Sequence, residues 1–391
     1  MSGKTNHFSI IIPFKSGKTY LLDCLHSVIE QDYPHYNIII LADNTSNIDD
    51  ALDAVHALQN SKISIQAAEH NLDILQNWGR IKDLTKNEYM TILGYDDILE
   101  KSFLSAINDL INQHPEASLY HTHFNYINSK SEFIKTCQPL PSRLNASEYL
   151  DYAMNEKIDI MATGYVFKSS DYDALGGIPI HYPNLIYADL HLWLELTKIS
   201  YLAVDTNTQF SFRIHASTTK TSKDKILLDA FIYFLDYLNE LKATSPALGQ
   251  IIQENTQKFC ESTTKAIAHR LLRTPRDFRK GLSIDLMIEK ITAKDLENKK
   301  GQSLANVLSQ VAGVEVNGNQ SGTGKNLEYY IRGGRSRQVL IVIDGVPVTD
   351  ASGIGFQYDL RLLPVEQIES IEIMKGAAST LYGSGAATGL I

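Results

Sequence analysis

Phe8-Ser9-Ile10-Ile11-Ile12-Pro13 and Asn37-Ile38-Ile39-Ile40-Leu41-Ala42 are the two stretches on which the reading of the fold turns. Each is a short, continuous apolar run, as expected of a strand covered on both faces. Between them Tyr20, Leu21, Cys24, Leu25 and Val28 recur at helical spacing. Beyond them Ala51, Leu52, Val55 and Leu58 predict a second helix, Ile63–Ile65 a third strand, Leu72–Leu84 a helix and Tyr89–Leu93 a fourth strand. Alternating strand and helix with short loops predicts an α/β fold with a mostly parallel sheet. Ligands in such sheets bind beyond the carboxyl ends of the strands. That rule nominates Pro13–Ser16, Asp43–Ser46 and Gly94–Asp97.

Later segments are less regular. Residues 101 to 223 mix helices with short strands, among them Ala162–Lys168 and Gln209–His215. From Lys223 to Lys280 the pattern is helical, with Ile226, Leu227, Ala230, Phe231, Phe234, Leu235 and Leu238 on one buried face. A basic cluster follows: Arg270, Arg273, Arg276, Arg279 and Lys280. It reads first as a solvated helix face and second as a weak contact for anionic lipid headgroups. All 12 His and both Trp precede residue 281, whereas most of the 23 Gly follow it. The shift predicts a boundary near Lys280–Ile284. In the last part Leu304–Val311 predicts a helix, Val339–Asp344 and Ser370–Met374 predict strands, and Gly318–Gly324 predicts a protease-accessible turn.

The net charge of −9 argues against nucleic acid as the main partner, and no apolar run is long enough for a transmembrane helix. The N-terminal apolar run reads as a strand, not a signal peptide. Three widely spaced cysteines, Cys24, Cys137 and Cys260, predict buried free thiols.

Several polar groups fall where the sheet rule puts a ligand. Asp96 and Asp97 follow an apolar strand directly, and adjacent carboxylates there must be solvated, paired or metal-bound. A nucleotide diphosphate requires a divalent cation, Mg²⁺ or Mn²⁺, and such ions prefer carboxylate oxygens. A solvated loop with Asp97 capping the next helix is the alternative. Asp43 ends the second strand and suits a base or ribose contact, though an Asp opening a turn is common. Asp189 lies among apolar and aromatic residues, which raises a carboxyl pKa and suits a general base; a helix cap is its alternative. His215 suits metal, phosphate or a structural role.

The order of these elements is similar to that of the family 2 glycosyltransferases over residues 8 to about 220. The likeness runs through Ser9–Pro13, Tyr20–Val28, Gln31-Asp32-Tyr33-Pro34, Asp43, His70-Asn71, Asn77, Asp96-Asp97, Gly176-Gly177, Asp189 and Arg213-Ile214-His215. The resemblance implies a GT-A, Rossmann-like fold over residues 1–222 followed by a helical extension, 223–283. It implies an inverting enzyme that moves a sugar from a nucleotide-diphosphate donor, expected to be a UDP-sugar, to an acceptor hydroxyl. Pro13, Phe14, Asp43, Asn71, Asn77, Asp96, Arg213 and His215 would then bind the nucleotide-sugar. Asp96, Asp97 and His215 would site the divalent cation, and Asp189 would be the catalytic base. Two departures are visible: Gly94 stands where the family has an Asp, and Ala188 where it has a Glu. A glycan or lipid-linked acceptor, a role in surface polysaccharide synthesis and a cytoplasmic site, peripheral at the inner membrane, are the accompanying expectations.

Residues 284–391 resemble the plug domain of TonB-dependent outer-membrane receptors. The carrying segments include Ile291–Leu296, Ser303–Leu308, Tyr330-Ile331-Arg332-Gly333-Gly334, Val342–Pro347, Ile368–Gly376 and Leu381–Ala387. A small α+β domain is implied. Such receptors continue into a β-barrel and work after export, so a gene fusion or a truncated reading frame is the expectation. The alternative function is a transport-type binding module with a passive transferase half.

Overall fold

A computed structural model of the chain describes residues 4–43, 48–214, 224–273, 288–311, 313–318, 327–331, 336–349, 358–375 and 389–391. The chain divides into two compact units, Met1–Lys280 and Gly281–Ile391.

In the first unit, β1 (Phe8–Phe14) is buried along its whole length. It pairs in parallel with β2 (Tyr36–Ala42) and with β4 (Tyr89–Ile92), and β2 pairs in parallel with β3 (Ile63–Ala67). The crossovers are α1 (Lys18–Ile29), α2 (Ile48–Leu58) and α3 (Ile74–Gly79). Helix α1 buries Leu21, Cys24, Leu25 and Val28, the stripe expected from the spacing. The predicted helix over 72–84 is shorter. It starts at the Asp73/Gln76 capping box, ends at Gly79 and continues as a 3₁₀ turn, Arg80–Asp83.

Beyond β4 the sheet becomes mixed. Its order is β3-β2-β1-β4-β9-β6-β10-β5. Here β5 is Ile98–Leu99, β6 Leu119–Ile127, β9 Val166–Lys168 and β10 Tyr201–Arg213. Strand β9 is antiparallel to both β4 and β6, whereas β6 and β10 are parallel. Two short strands, β7 (Phe133–Thr136) and β8 (Arg143–Asn145), pair with β6 and β10. Packed around them are α4 (Phe103–Gln113), α5 (Ala146–Met154), α6 (Ser169–Ala174) and α7 (Ala188–Ile199). The helical extension forms α8 (Asp224–Thr244) and α9 (Pro246–Arg273). Ala230, Phe231, Phe234 and Leu238 of α8 are buried, and Phe231, Phe234 and Leu238 join one core cluster with Trp193 of α7 and Phe259 of α9.

Two expected strands are corrected. Ala162–Lys168 shrinks to Val166–Lys168, because Thr163 and Gly164 are held in the loop before it, with Gly164 at φ +81°. The strand expected to open at Gln209 begins at Tyr201. Cys24 and Cys137 are buried free thiols, whereas Cys260 is only half-buried.

The second unit has its own core, built from Leu304, Val307 and Leu308 of α11 (Leu304–Ser309), Ile331 of β13 (Glu328–Ile331) and Ile373 of β17 (Ile371–Lys375). A four-stranded sheet runs β11-β17-β18-β14, with β11 at Ile288–Ile291, β14 at Val339–Leu340 and β18 at Gly389–Leu390. Helix α10 (Ala293–Glu297) opens with a Thr292/Asp295 capping box. Strand β12 (Val314–Asn317) pairs with β13. The single strand expected over 339–344 is two: β14 and β15 (Val342–Ile343), the latter in a hairpin with β16 (Val346–Pro347). Asp344 and Gly345, both at positive φ, make that hairpin's turn. Of the predicted Gly318–Gly324 turn, residues 319–324 lie outside the described residues.

Candidate active site

Parallel β1 and β2 end together, with Phe14 beside Ala42 in the register, and β4 ends at the same edge with Ile92 beside Ile11. Asp43 therefore follows β2 at the same sheet edge at which Gly94-Tyr95-Asp96-Asp97 follows β4. Asp43 is buried. Its carbonyl accepts from the Leu72 N–H at 3.1 Å, which brings the 68–72 segment, with exposed Asn71, to the end of β2. Pro13 and Phe14 are buried at the end of β1, and the Phe14 ring meets the Tyr95 ring edge-on at 5.5 Å.

The two carboxylates differ. Asp97 is buried, and its Oδ1 accepts from the backbone N–H of Arg213 at 2.9 Å. Thr163 hydrogen-bonds the same carboxyl and also accepts from the Gly94 N–H at 3.1 Å. Burial, then the charge of Asp96, push the Asp97 pKa well above the usual carboxylate range. Asp97 does not cap the following helix; Ser102 holds that position. Asp96 is half-buried. A Cβ added at Gly94 would stand 2.6 Å from Asp97 Oδ2 and 2.9 Å from Asp96 Oδ1. Both carboxylates thus lean over Gly94, and only a residue without a side chain leaves them that space.

Arg213, the last residue of β10, holds this loop from below. Its guanidinium is fully buried: Nε donates to the Asp96 carbonyl at 2.7 Å and Nη1 to Ser131 Oγ at 2.8 Å. Nη2 lies 3.6 Å from Asp23, and the Tyr20 ring faces the group at 4.8 Å. A buried charge needs such partners. Arg213 therefore positions the Asp96–Asp97 loop.

Asn77, a candidate for nucleotide contact, is buried, and its amide is committed to the fold. Its Nδ2 donates to the Leu41 carbonyl at 3.0 Å, while Oδ1 accepts from Arg80 at 3.1 Å. Arg80 in turn donates to Ala42 and Gln66 carbonyls. The Asn77–Arg80 pair thus fixes the carboxyl end of β2, and its signal in the sequence was the i, i+3 spacing alone. His215 lies outside the described residues.

Asp189 occupies the first turn of α7, and its Oδ1 accepts from the Leu190 N–H at 2.8 Å. Burial raises its pKa from 3.8 to about 6. It borders a cavity of about 420 Å³ that Ile160 also lines. Ile160 is three residues from Thr163, which touches Gly94 and Asp97. Their Cα atoms are therefore within about 11 Å of each other. One short segment consequently spans from the carboxylate pair to the cavity of Asp189. Tyr95 lies in the nominated Gly94–Asp97 stretch, whereas Thr163 was missed as a site residue and had no signal beyond its neighbours.

A hard divalent cation fits Asp96, whose carboxylate is accessible beside a second one. Among the described residues no group of three or more His, Cys, Asp or Glu could hold a metal unaided. The remaining ligands would have to come from a bound diphosphate and water.

Comparison with known proteins finds a likeness for each part of the chain. Residues 9–174 match the model "Glycosyl transferase family 2", and residues 282–390 the model "TonB-dependent Receptor Plug Domain". Vitamin B12 transporter BtuB of Vibrio vulnificus (strain CMCP6) is 39% identical over 102 residues, 26% of this chain and 16% of that protein. The Vibrio cholerae protein of the same name (El Tor Inaba N16961) is 33% identical over 104 residues, 27% of this chain and 16% of its own. The chain thus spans about a sixth of the length of these curated relatives. Among solved structures, S. aureus TarS 1-349 in complex with UDP has a TM-score of 0.45 at 12% identity, covering 58% of this chain and 64% of its own. Mannosyltransferase PcManGT from Pyrobaculum calidifontis in complex with GDP-Man and Mn²⁺ has a TM-score of 0.46 at 12% identity, covering 68% and 74%. Residues 9–174 are thus similar to the family 2 glycosyltransferases, and residues 282–390 to the plug domains of TonB-dependent receptors.

Proposed function

We propose that the first unit transfers a sugar, with inversion, from a nucleotide-diphosphate donor to an acceptor hydroxyl, and that the donor is a UDP-sugar. The observation that carries the reading is the carboxylate pair clasped over Gly94 at the edge where Asp43 ends β2. Asp43 would accept hydrogen bonds from the nucleoside, with the backbone around Pro13 and Phe14 and the Asn71 segment beside it. Asp96 would hold a Mg²⁺ or Mn²⁺ ion, with Asp97 behind it and His215 as a further candidate ligand. When bound, the ion would neutralise charge on the departing diphosphate. Asp189 would take the proton of the acceptor hydroxyl as its oxygen attacks the anomeric carbon, and the diphosphate would leave from the opposite face. One displacement inverts the centre.

Donor turnover with Mn²⁺ tests this. Asp96→Ala should abolish the metal dependence of UDP release, and calorimetry should find weak Mn²⁺ binding without nucleotide. Unchanged metal dependence in that variant would refute the site. The domain bounds we propose are 1–222, 223–283 and 284–391. No helix among the described residues is long and apolar enough to cross a membrane. We place the enzyme in the cytoplasm, where nucleotide sugars are made, in cell-surface polysaccharide synthesis on a glycan or lipid-linked acceptor. The basic residues that the sequence gathers between Arg270 and Lys280 are the ground for a weak peripheral contact with the inner membrane. The plug match favours a second reading, a transport-type binding module with a passive transferase half. A genomic reading frame running past Ile391 into alternating barrel strands would favour it.

A further inference from the structure

Apart from Ile160, the cavity beside Asp189 is lined by residues beyond the matched transferase segment. One wall is the loop before α7, with Leu185 and Ile186; the opposite wall comes from α8 and α9, with Leu227, Thr263 and Ile267. Its volume, about 420 Å³, is in the range of small-molecule sites. Seven of its twelve lining residues are aliphatic, and its polar members, Asn184, Tyr187, Asp189, Thr263 and Arg270, stand beside that aliphatic wall.

The loop is held in an unusual shape. Asn184, Leu185 and Tyr187 have φ of +54°, +58° and +71°, a region that side-chain-bearing residues rarely enter. Such strain persists only where neighbours over-determine it, and it clusters at functional sites. Those neighbours are in the helical extension. The Tyr187 ring stacks on Phe234 at 5.0 Å and 12°, and its hydroxyl bonds Thr263. Tyr187 is also the residue that caps the helix carrying Asp189. The α8–α9 hairpin therefore both fixes the approach to Asp189 and supplies the wall that faces it.

We propose that this cavity is the acceptor site, and that it selects a sugar hydroxyl joined to an apolar aglycone, with the aglycone against Leu227 and Ile267. This rests on Asp189 being the base. A bare hydrophilic sugar would leave the aliphatic wall uncovered, so the wall discriminates by apolar burial. Tyr187 is a positioning residue.

The test uses the full chain with UDP and Mn²⁺, and compares octyl β-glucoside, below its micelle threshold, with glucose. Calorimetry should show the octyl glycoside binding at least tenfold tighter. Leu227→Ser, which removes the wall, and Leu227→Trp, which fills the cavity, should each erase that preference. Ile232→Ser, at an exposed position of the same helix, should not. Equal binding of the two probes, or an equal loss in Ile232→Ser, would overturn the inference. An octyl preference together with full transfer by Asp189→Asn would keep the pocket and remove the base.

Discussion

Asp189 has a cost in stability that its proposed role explains. Its folded pKa of about 6 lies above the ordinary 3.8. The folded state therefore holds the proton more tightly than the unfolded chain. Stability falls as pH rises from about 4 through about 6, and the penalty is complete above that. Each pKa unit is worth about 1.4 kcal/mol, so a rise of about two units makes the penalty on the order of 3 kcal/mol. Asp189→Asn should raise the unfolding free energy at pH 7.5 by that amount while lowering transfer about 10²–10⁴-fold. The wild-type rate should rise through about pH 6 to a plateau. A flat pH profile from 5 to 8 would remove Asp189 as the base. Gly94 makes a contrary case. An Asp placed there would add a third carboxylate, yet its Cβ would meet both existing ones. Asp97 cannot easily retreat, since Arg213 and Thr163 hold it. Gly94→Asp should cost roughly 1–3 kcal/mol through overpacking and weaken Mn²⁺-dependent UDP binding. Tighter binding by titration would contradict this account.

At the scale of elements, β10 is the strand that couples distant parts of the first unit. Its final residue ties the β6–β7 hairpin, through Ser131 and the Asn128 carbonyl, to the loop after β4. Lysine cannot reproduce that fork of donors. Arg213→Lys should destabilise by roughly 2–3 kcal/mol, from hydrogen bonds of a buried charge, and should lower UDP affinity with metal more than without. An equal loss in both conditions would make Arg213 a matter of folding alone. The strands of this unit were legible in proportion to their apolar continuity. β1, β2 and β4 are uninterrupted runs and were read near their true bounds. β6, Leu-Tyr-His-Thr-His-Phe-Asn-Tyr-Ile, went unread because its polar residues break any pattern. Yet His121 is buried there, stacked at 3.8 Å on Tyr165. The site shows the same limit. Asp43, Asp96 and Asp189 stood out as carboxylates at element ends, while the structural commitments of Arg213 and Asn77 depend on carbonyls that only the folded chain brings near.

The two units each carry enough apolar surface to stand alone. Among the described residues, the clusters around Trp193 and around Ile12 draw on residues before 261, and the cluster around Ile373 on residues after 290. Independent cores of this kind are what separable domains require. The Asp96–Asp97 loop, the Asp43 edge and the cavity beside Asp189 belong to the first unit. A fragment of residues 1–280 should therefore bind UDP with Mn²⁺ as the full chain does, and its melting temperature should shift by less than about 4 °C, the equivalent of roughly 1 kcal/mol. Residues 281–391 contain neither His nor Cys, so the commonest general base and the soft metal ligands are absent. That fragment should fold, by circular dichroism, and show no donor turnover. Loss of UDP binding on removing residues 281–391 would mean that the second unit completes the site. Because the plug match lies in that unit and the transferase match in the first, the same experiment also separates the two matched segments.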